Sequence, residues 1–223
     1  MSINLLGLRR SGTHMVANYM SAITNKSIKN NIKHDIVGTN HKSEDILVVE
    51  DINPTTIKET QDNDIFIVVI RDPLNMASSR IKHYDIVSSE GKYINIPMAM
   101  AHFPTYYQMY INNYQIDKKP TFYVNFNKFT TDLDYRKTLV DFLEAQGIDT
   151  VHISNAEGTL DYVDINGSGS SFDGRNIEAK DMKIHQRYLY YWDLDSFKSI
   201  LKPDDMKKVE EVFNIKYGDK GEE

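Results

Sequence analysis

Apolar positions along this chain fall into two rhythms. Continuous runs occur at Ile3–Leu6, at "ILVVED" (46–51), at "DIFIVVIRD" (64–72) and at "TFYVNF" (121–126). Runs without polar alternation predict central parallel strands covered on both faces. Between them the period lengthens to that of helices. One is predicted over Ser11–Ile23, opening on a glycine turn, and one runs from Pro73, which suits a first helical turn, to about Tyr84. A Met- and Tyr-rich helix is predicted over Met98–Tyr114, and an amphipathic one over Leu133–Gln146, stopped by Gly147. Residues 25–45 are polar and poorly patterned, 86–97 read as a loop, and "NGSGSSFDGRN" (166–176) has the composition of a flexible loop. Helical patterns return at 180–192 and 204–213. Strands alternating with helices predict one α/β domain over residues 1–215 with a mostly parallel sheet, followed by a charged, frayed tail over 216–223.

Composition narrows the partners. The 223 residues include 32 acidic and 26 basic side chains, a net charge of −6. That balance argues against a general nucleic-acid binder, so any anion must be held by local basic groups. The absence of cysteine removes disulfides, thiolate metal sites and thiol nucleophiles together. No apolar stretch reaches the ~18 residues of a membrane span. The expectation is a cytoplasmic protein that engages no membrane.

"GLRRSGTH" (7–14) follows the first strand. Gly7, four residues and Gly12 outline a phosphate-binding loop. A helix opening there presents unpaired N–H groups and a positive dipole end to an anion. A nucleotide triphosphatase would place Lys and then Ser or Thr after the second glycine. Here Thr13 and His14 stand in those places and the charge lies upstream, at Arg9 and Arg10. Ser11, Thr13 and His14 can add side-chain donors. The alternative is a plain strand-to-helix turn with surface arginines. "RDPLNMASS" (71–79) then places Arg71 at the carboxyl end of the strongest strand, where open α/β sheets bind ligands. Ser79 lies about two turns into the following helix. The blander reading pairs Arg71 with a neighbouring acid and leaves Ser79 on the surface.

Together the two segments resemble the sulfotransferases that use 3′-phosphoadenosine 5′-phosphosulfate (PAPS). Arg10-Ser11-Gly12-Thr13-His14 stands where that family reads Lys-Ser-Gly-Thr-Thr. Arg71 and Ser79 have the eight-residue spacing of its pair on the 3′-phosphate. Residues 121–148 look like its late strand and following helix, so the resemblance runs from residue 3 to about 148. It implies a P-loop-type three-layer α/β/α fold and metal-free transfer of a sulfonyl group from PAPS to a hydroxyl or amine. The acceptor would be a small molecule or saccharide. It assigns Arg9 to His14 to the 5′ side of the nucleotide, and Arg10 and His14 to catalysis as well. Arg10 keeps the charge of the family's lysine but cannot give up a proton. His14 replaces the second Thr and can donate a hydrogen bond.

The resemblance also implies a His or Glu base just beyond the second sheet strand. "VVEDINP" (48–54) offers Glu50 and Asp51 there, with Asp51 slightly favoured because Glu50 continues the strand. The alternative is that both cap the strand, and His41 beside Lys42 is the reserve. The family's late loop over the nucleotide would correspond to "SSFDGR" (170–175), with Phe172 for the base, Gly174 for close approach and Arg175 for the phosphate. A surface loop is the other reading. "RYLYYW" (187–192) reads as helix core, and Tyr106, Tyr107 and Tyr110 as core or acceptor wall. Two further classes stay open. One is a P-loop small-molecule kinase using ATP and Mg²⁺, against which the missing loop lysine counts. The other is a non-catalytic nucleotide-binding protein of the same fold.

Overall fold

A computed structural model describes residues 2–30, 45–58, 60–84, 100–151, 153–160 and 184–218. Five parallel strands form one sheet in the order β2-β3-β1-β4-β5: β1 Ile3–Gly7, β2 Ser27–Lys29, β3 Asp45–Glu50, β4 Ile65–Ile70 and β5 Thr121–Asn125. The strand order reverses around β1, which lies between β3 and β4. A crevice at such a reversal, outside the carboxyl ends of the strands, is where folds of this kind hold ligands. Gly7 ends β1 opposite Glu50 of β3 and Val69 of β4.

The period-2 alternation of the strands decides which helix meets which face. Leu5, Val48, Ile67 and Val69 bury one face against α1 (Thr13–Thr24) and the later helix at Leu133–Ala145. Leu6, Val49, Phe66, Val68 and Ile70 bury the other face. That face is covered by α2 (Pro73–Tyr84), by α3 (Phe103–Ile111) and by the last helix, Pro203–Phe213. The result is the three-layer α/β/α arrangement read from the apolar runs.

Local chemistry sets the helix ends. Asp72 accepts from Asn75 N (2.9 Å), so Pro73 begins α2 behind a carboxylate cap. After β5, Asn125 accepts from Lys128 N (3.3 Å) and starts α4, Phe126–Thr131. Asp132 accepts from Tyr135 N (3.1 Å) and starts α5, Leu133–Ala145. Gly147, at φ 77°, ends it in the left-handed conformation. The Tyr135 hydroxyl then reaches back to the sheet's outer edge. It donates to Tyr123 O (3.0 Å) and accepts from Asn125 N (2.9 Å), supplying part of what a further strand would supply to β5.

Some boundaries differ from the sequence reading. β2 was hidden in a polar stretch because it is held by polar groups: Ser27 donates to Asp45 and Lys29 pairs with it. Among the described residues the Met- and Tyr-rich region gives the helix Phe103–Ile111, with Pro104 in its first turn and an end short of the expected Tyr114. Phe126 leaves the strand for the first turn of α4. The pattern at 180–192 gives no long helix among the described residues, only a 3₁₀ turn at Arg187–Tyr190. Short α6 (Ser154–Glu157) and α7 (Asp195–Lys198) precede α8, Pro203–Phe213. Tyr217, expected in a frayed tail, is buried.

Gly12 fits its place for two independent reasons. Its φ is 97°, and an added Cβ would lie 2.0 Å from the Phe126 ring. Gly12→Ala is therefore expected to lower unfolding free energy by at least about 2 kcal/mol, combining left-handed strain with overpacking. Urea denaturation measures it, and a midpoint within error of wild type would show that the ring yields freely.

Candidate functional site

The loop between β1 and α1 is shaped by contacts from outside it. Gly7 leaves room that a side chain would fill, since a Cβ there would meet Thr13 Oγ1 at 2.8 Å and Ser11 Oγ at 2.9 Å. Ser11 N closes a turn onto Leu8 O (2.9 Å). Arg10, with φ 70°, and Gly12 both take left-handed backbone, which swings the chain into the first turn of α1. Ser11 and Thr13 are buried, their hydroxyls 3.1 Å apart. Arg10 and His14 are partly exposed, and the Arg9 side chain is about half exposed, with its Nε 3.5 Å from an Asp51 oxygen. Backbone donors, two hydroxyls and basic side chains therefore gather at one helix N-terminus, a set suited to a phosphate or sulfate group.

Arg71 closes the other side of the loop. It stands at the end of β4 and is 2% exposed. It donates to Arg10 O (3.1 Å) and to Ile184 O, and its guanidinium lies over the Phe126 ring, 5.3 Å from the centroid. Its Nε is buried without a hydrogen-bond partner. Burial, followed by the nearby Arg187 charge and opposed by Asp72, pushes its pKa down to about 9. An anion at this point would offset both the burial of the charge and its repulsion from Arg187.

Arg187 was read as part of a helix core. The structure brings it to Ser79, whose hydroxyl accepts from Arg187 Nη1 (3.1 Å). Arg71, Ser79 and Arg187 thus converge from β4, from α2 and from the 3₁₀ turn. The segment carrying Arg187 is laid along α2 by main-chain bonds. Asn75 donates through Nδ2 to His185 O (3.0 Å) and accepts through Oδ1 from Tyr188 N (3.0 Å). The one available signal in the sequence was an arginine opening an apolar run. Arginine is seldom buried without an anionic or polar partner, so that position asked for one.

Beneath these groups lies Asp72, fully buried. Its carboxylate accepts from Asn75 N and Nδ2 (2.9 and 3.1 Å), from Asn127 Nδ2 (3.2 Å) and from Tyr217 OH (2.9 Å). It joins the start of α2, α4 and the segment after α8 at one charged point.

The two acids after β3 are treated differently. Asp51 takes a left-handed φ of 58° and accepts a fork from Arg80 (2.7 and 3.1 Å) together with Arg9 N (3.1 Å). It ties the loop to α2. Glu50 is more lightly engaged, its nearest recorded cation being Arg9 Nε at 4.0 Å. His41, Lys42, Phe172, Gly174 and Arg175 lie outside the described residues. Among the described residues no group of three or more acidic or His side chains is placed to hold a metal ion. No helix among them is long and apolar enough to cross a membrane.

Comparison with known proteins places the fold. No family model matches the sequence, and no curated protein matches it. Among solved structures, the mouse sulfotransferase SULT7A1 complexed with PAP matches with a TM-score of 0.50 at 14% identity, over 96% of this chain and 83% of that one. The sulfotransferase domain of the Synechococcus PCC 7002 olefin synthase matches with a TM-score of 0.50 at 12% identity, over 98% and 96%. The chain has the α/β fold of the sulfotransferases. The resemblance first read from Arg10–His14 and from Arg71 and Ser79 is met at the level of the fold.

His185 provides a test of the packing around this site. Its Nε2 lies 3.0 Å from Thr130 Oγ1. Burial first, and then the Arg71 charge, push its pKa down from 6.5 to about 4. Between those values the unfolded chain binds a proton that the folded protein refuses. This contribution to stability is therefore complete above about pH 6.5 and shrinks as the pH falls toward 4. The loss is expected to be on the order of 3 kcal/mol. Thermal unfolding from pH 7 to 4 should show a shallower decline in His185→Gln, and parallel declines would count against this placement.

Proposed function

We propose that the protein is a sulfotransferase that moves a sulfonyl group from PAPS to a hydroxyl or amine on a small-molecule or saccharide acceptor. The observation that supports this most is the pairing of two anion cradles across the Arg71–Arg10 contact. One is the glycine loop, and the other is Arg71 with Ser79 and Arg187, both arginines being nearly buried. A nucleotide bearing anions on both its 5′ and 3′ oxygens uses both. The triphosphate of ATP concentrates its charge at one end, and His14 stands where a kinase loop would offer a hydroxyl to Mg²⁺.

The residues present fit such a group. The Ser11 and Thr13 hydroxyls packed close against Gly7 and the orphaned Nε of Arg71 are both features a bound anion would use. The phosphosulfate supplies the sulfonyl group. In this reading, Arg71, Arg187 and Ser79 hold the 3′-phosphate, with Ser11 to His14 around the 5′-phosphate. Attack by the acceptor on sulfur breaks the bond between sulfur and the phosphate oxygen. Arg10, His14 and the amino end of α1 meet the charge left on that oxygen. Glu50 takes the acceptor's proton. Asp51, though first favoured from sequence, already has both oxygens engaged by Arg80, so its role is to hold the loop in place. Proton transfer needs a carboxylate free to meet the acceptor.

Titration calorimetry should show adenosine 3′,5′-bisphosphate binding at least about tenfold more tightly than 5′-AMP, because charge-assisted hydrogen bonds are each worth ~1.5–3 kcal/mol. Arg71→Ala and Arg187→Ala should each erase most of that preference, and Ser79→Ala a smaller part. Equal affinity of the wild type for both nucleotides would remove the basis of this reading. Stabilisation by the bisphosphate should survive excess EDTA, whereas stabilisation seen only with Mg²⁺ and ATP would identify a kinase.

The two acids should separate in kinetics. Glu50→Gln should lower turnover by about 10²-fold or more with bisphosphate affinity intact, the usual range for a general base being ~10²–10⁴. Asp51→Asn should instead weaken nucleotide binding and stability together. The opposite pattern would return the base to Asp51. Bisphosphate binding with no sulfonyl transfer to a broad panel of acceptors would leave a nucleotide-binding protein.

A further inference from the structure

In a strand the N–H and C=O of one residue point to the same edge, and successive residues alternate between edges. β5 is the last strand of the sheet, paired along its inner edge to β4. Phe66 N donates to Pro120 O (2.9 Å), so Pro120, Phe122 and Val124 turn their main chain toward β4. Thr121, Tyr123 and Asn125 turn theirs outward. The Tyr135 hydroxyl takes two of those outward groups, Tyr123 O and Asn125 N. Thr121 N, Thr121 O and Tyr123 N remain, and no group among the described residues bonds to them. The Thr121 hydroxyl does not serve them, being engaged with Lys119 O (3.0 Å) and Ile116 N (3.1 Å).

These three groups face a cleft of about 760 Å³ that follows the outer edge of β5. Tyr110 and Ile111 of α3 and Val212 of α8 wall it on one side of the sheet, and Tyr135 and Thr138 of α5 on the other. Lys128 and Glu211 also line it, and neither side chain is paired with an opposite charge among the described residues. Five large apolar side chains among those residues stand exposed, and three of them surround this edge. Ile111 lines the cleft, Tyr114 carries the carbonyl bonded by Tyr123 OH (2.6 Å), and Leu133 opens the helix that bears Tyr135. Such a concentration of apolar surface marks a place of contact. The cleft shares no residue with the glycine loop or with Arg71, Ser79 and Arg187.

The shape and chemistry of the edge indicate its occupant. An edge set back between two helix layers is out of reach of a second edge set back in the same way, so a second copy of this sheet does not fit. A single extended chain does. Its main chain offers acceptor, donor and acceptor at strand spacing, the complement of Thr121 N, Thr121 O and Tyr123 N. Its side chains would meet the rings of Tyr110 and Tyr123 and one charge of each sign. We propose that the outer edge of β5 is a peptide-binding site, where an extended segment carrying apolar residues between a cation and an anion adds a short further strand. Tyr135 sets the length of that strand, because its hydroxyl already fills the next two positions. This site stands apart from the transferase reading and does not depend on it.

The probe is a capped pentapeptide, acetyl-Lys-Val-Thr-Val-Glu-amide, and its control is the same peptide methylated on every amide nitrogen. Residue-resolved amide exchange is measured on the wild-type protein, with and without each peptide, together with titration calorimetry and sedimentation. Saturating probe should slow exchange at Thr121 and Tyr123 by about tenfold or more. Phe122, Val124 and Asn125 should keep their rates, since their N–H groups are already bonded, and the methylated peptide should protect none of them. The probe should bind equally with and without adenosine 3′,5′-bisphosphate. Absence of binding up to about 10 mM, weaker than three main-chain bonds would give, would overturn the proposal. So would binding that leaves Thr121 and Tyr123 unprotected, or equal protection by the methylated peptide, which would mean that the edge is covered without being paired. Protection of the same two amides in the free protein, rising with protein concentration alongside self-association, would assign the edge to a second copy instead and would also overturn it.

Discussion

Burying a guanidinium at the carboxyl end of β4 constrains much of what surrounds it. Arg71 cannot be satisfied within its own strand, so its donors reach the loop after β1 and the backbone at Ile184, while Phe126 covers its face. Each contact fixes something else. The bond to Arg10 O supports a left-handed loop conformation, and Phe126 leaves room there only for a glycine. Asp72 follows at once in sequence and balances the charge. It is able to do so because four donors from three parts of the chain share its own burial. A lone buried ion would be very unfavourable, whereas a connected set of charges and amides is tolerable and also rigid.

Most of the fold was legible because the strands are apolar on both faces. Ile65–Ile70 is apolar throughout and lies inside the sheet between β1 and β5, where a strand is covered on both faces. The glycine loop was legible for a related reason, since Gly7 and Gly12 occur where backbone approach and positive φ require them. What escaped the sequence reading was held by polar contacts. β2 depends on Asp45 meeting Ser27 and Lys29, and such pairings leave no periodic trace. Tyr217 looked like part of a charged tail, yet a single hydrogen bond to Asp72 and the rings of Tyr188 and Trp192 draw it inside.

Site residues divide in the same way. Arg71 and Ser79 stood out as candidates because one strand-to-helix junction sets their spacing. Arg187 reaches them from more than a hundred positions away, and no local pattern encodes that approach. The acids after β3 stood out as a pair, but their different surroundings depend on Arg80, whose fork only the folded helix α2 can present. Sequence spacing reports neighbours along one element. The sharing of a carboxylate among elements is decided by tertiary packing.

The hydrogen bonds that lay residues 184–188 along α2 also bear on how the protein assembles. Arg187 meets Ser79 only after a long loop has closed, and closing it is entropically unfavourable before any contact can reward it. The glycine loop and Arg71, by contrast, arise from strands paired early in the sequence order. One half of the proposed anion-binding surface is thus a property of the sheet, and the other half is a property of a docked segment. A ligand that bridged them would act as a clasp. Its binding energy would be drawn partly into holding the last third of the chain against the first.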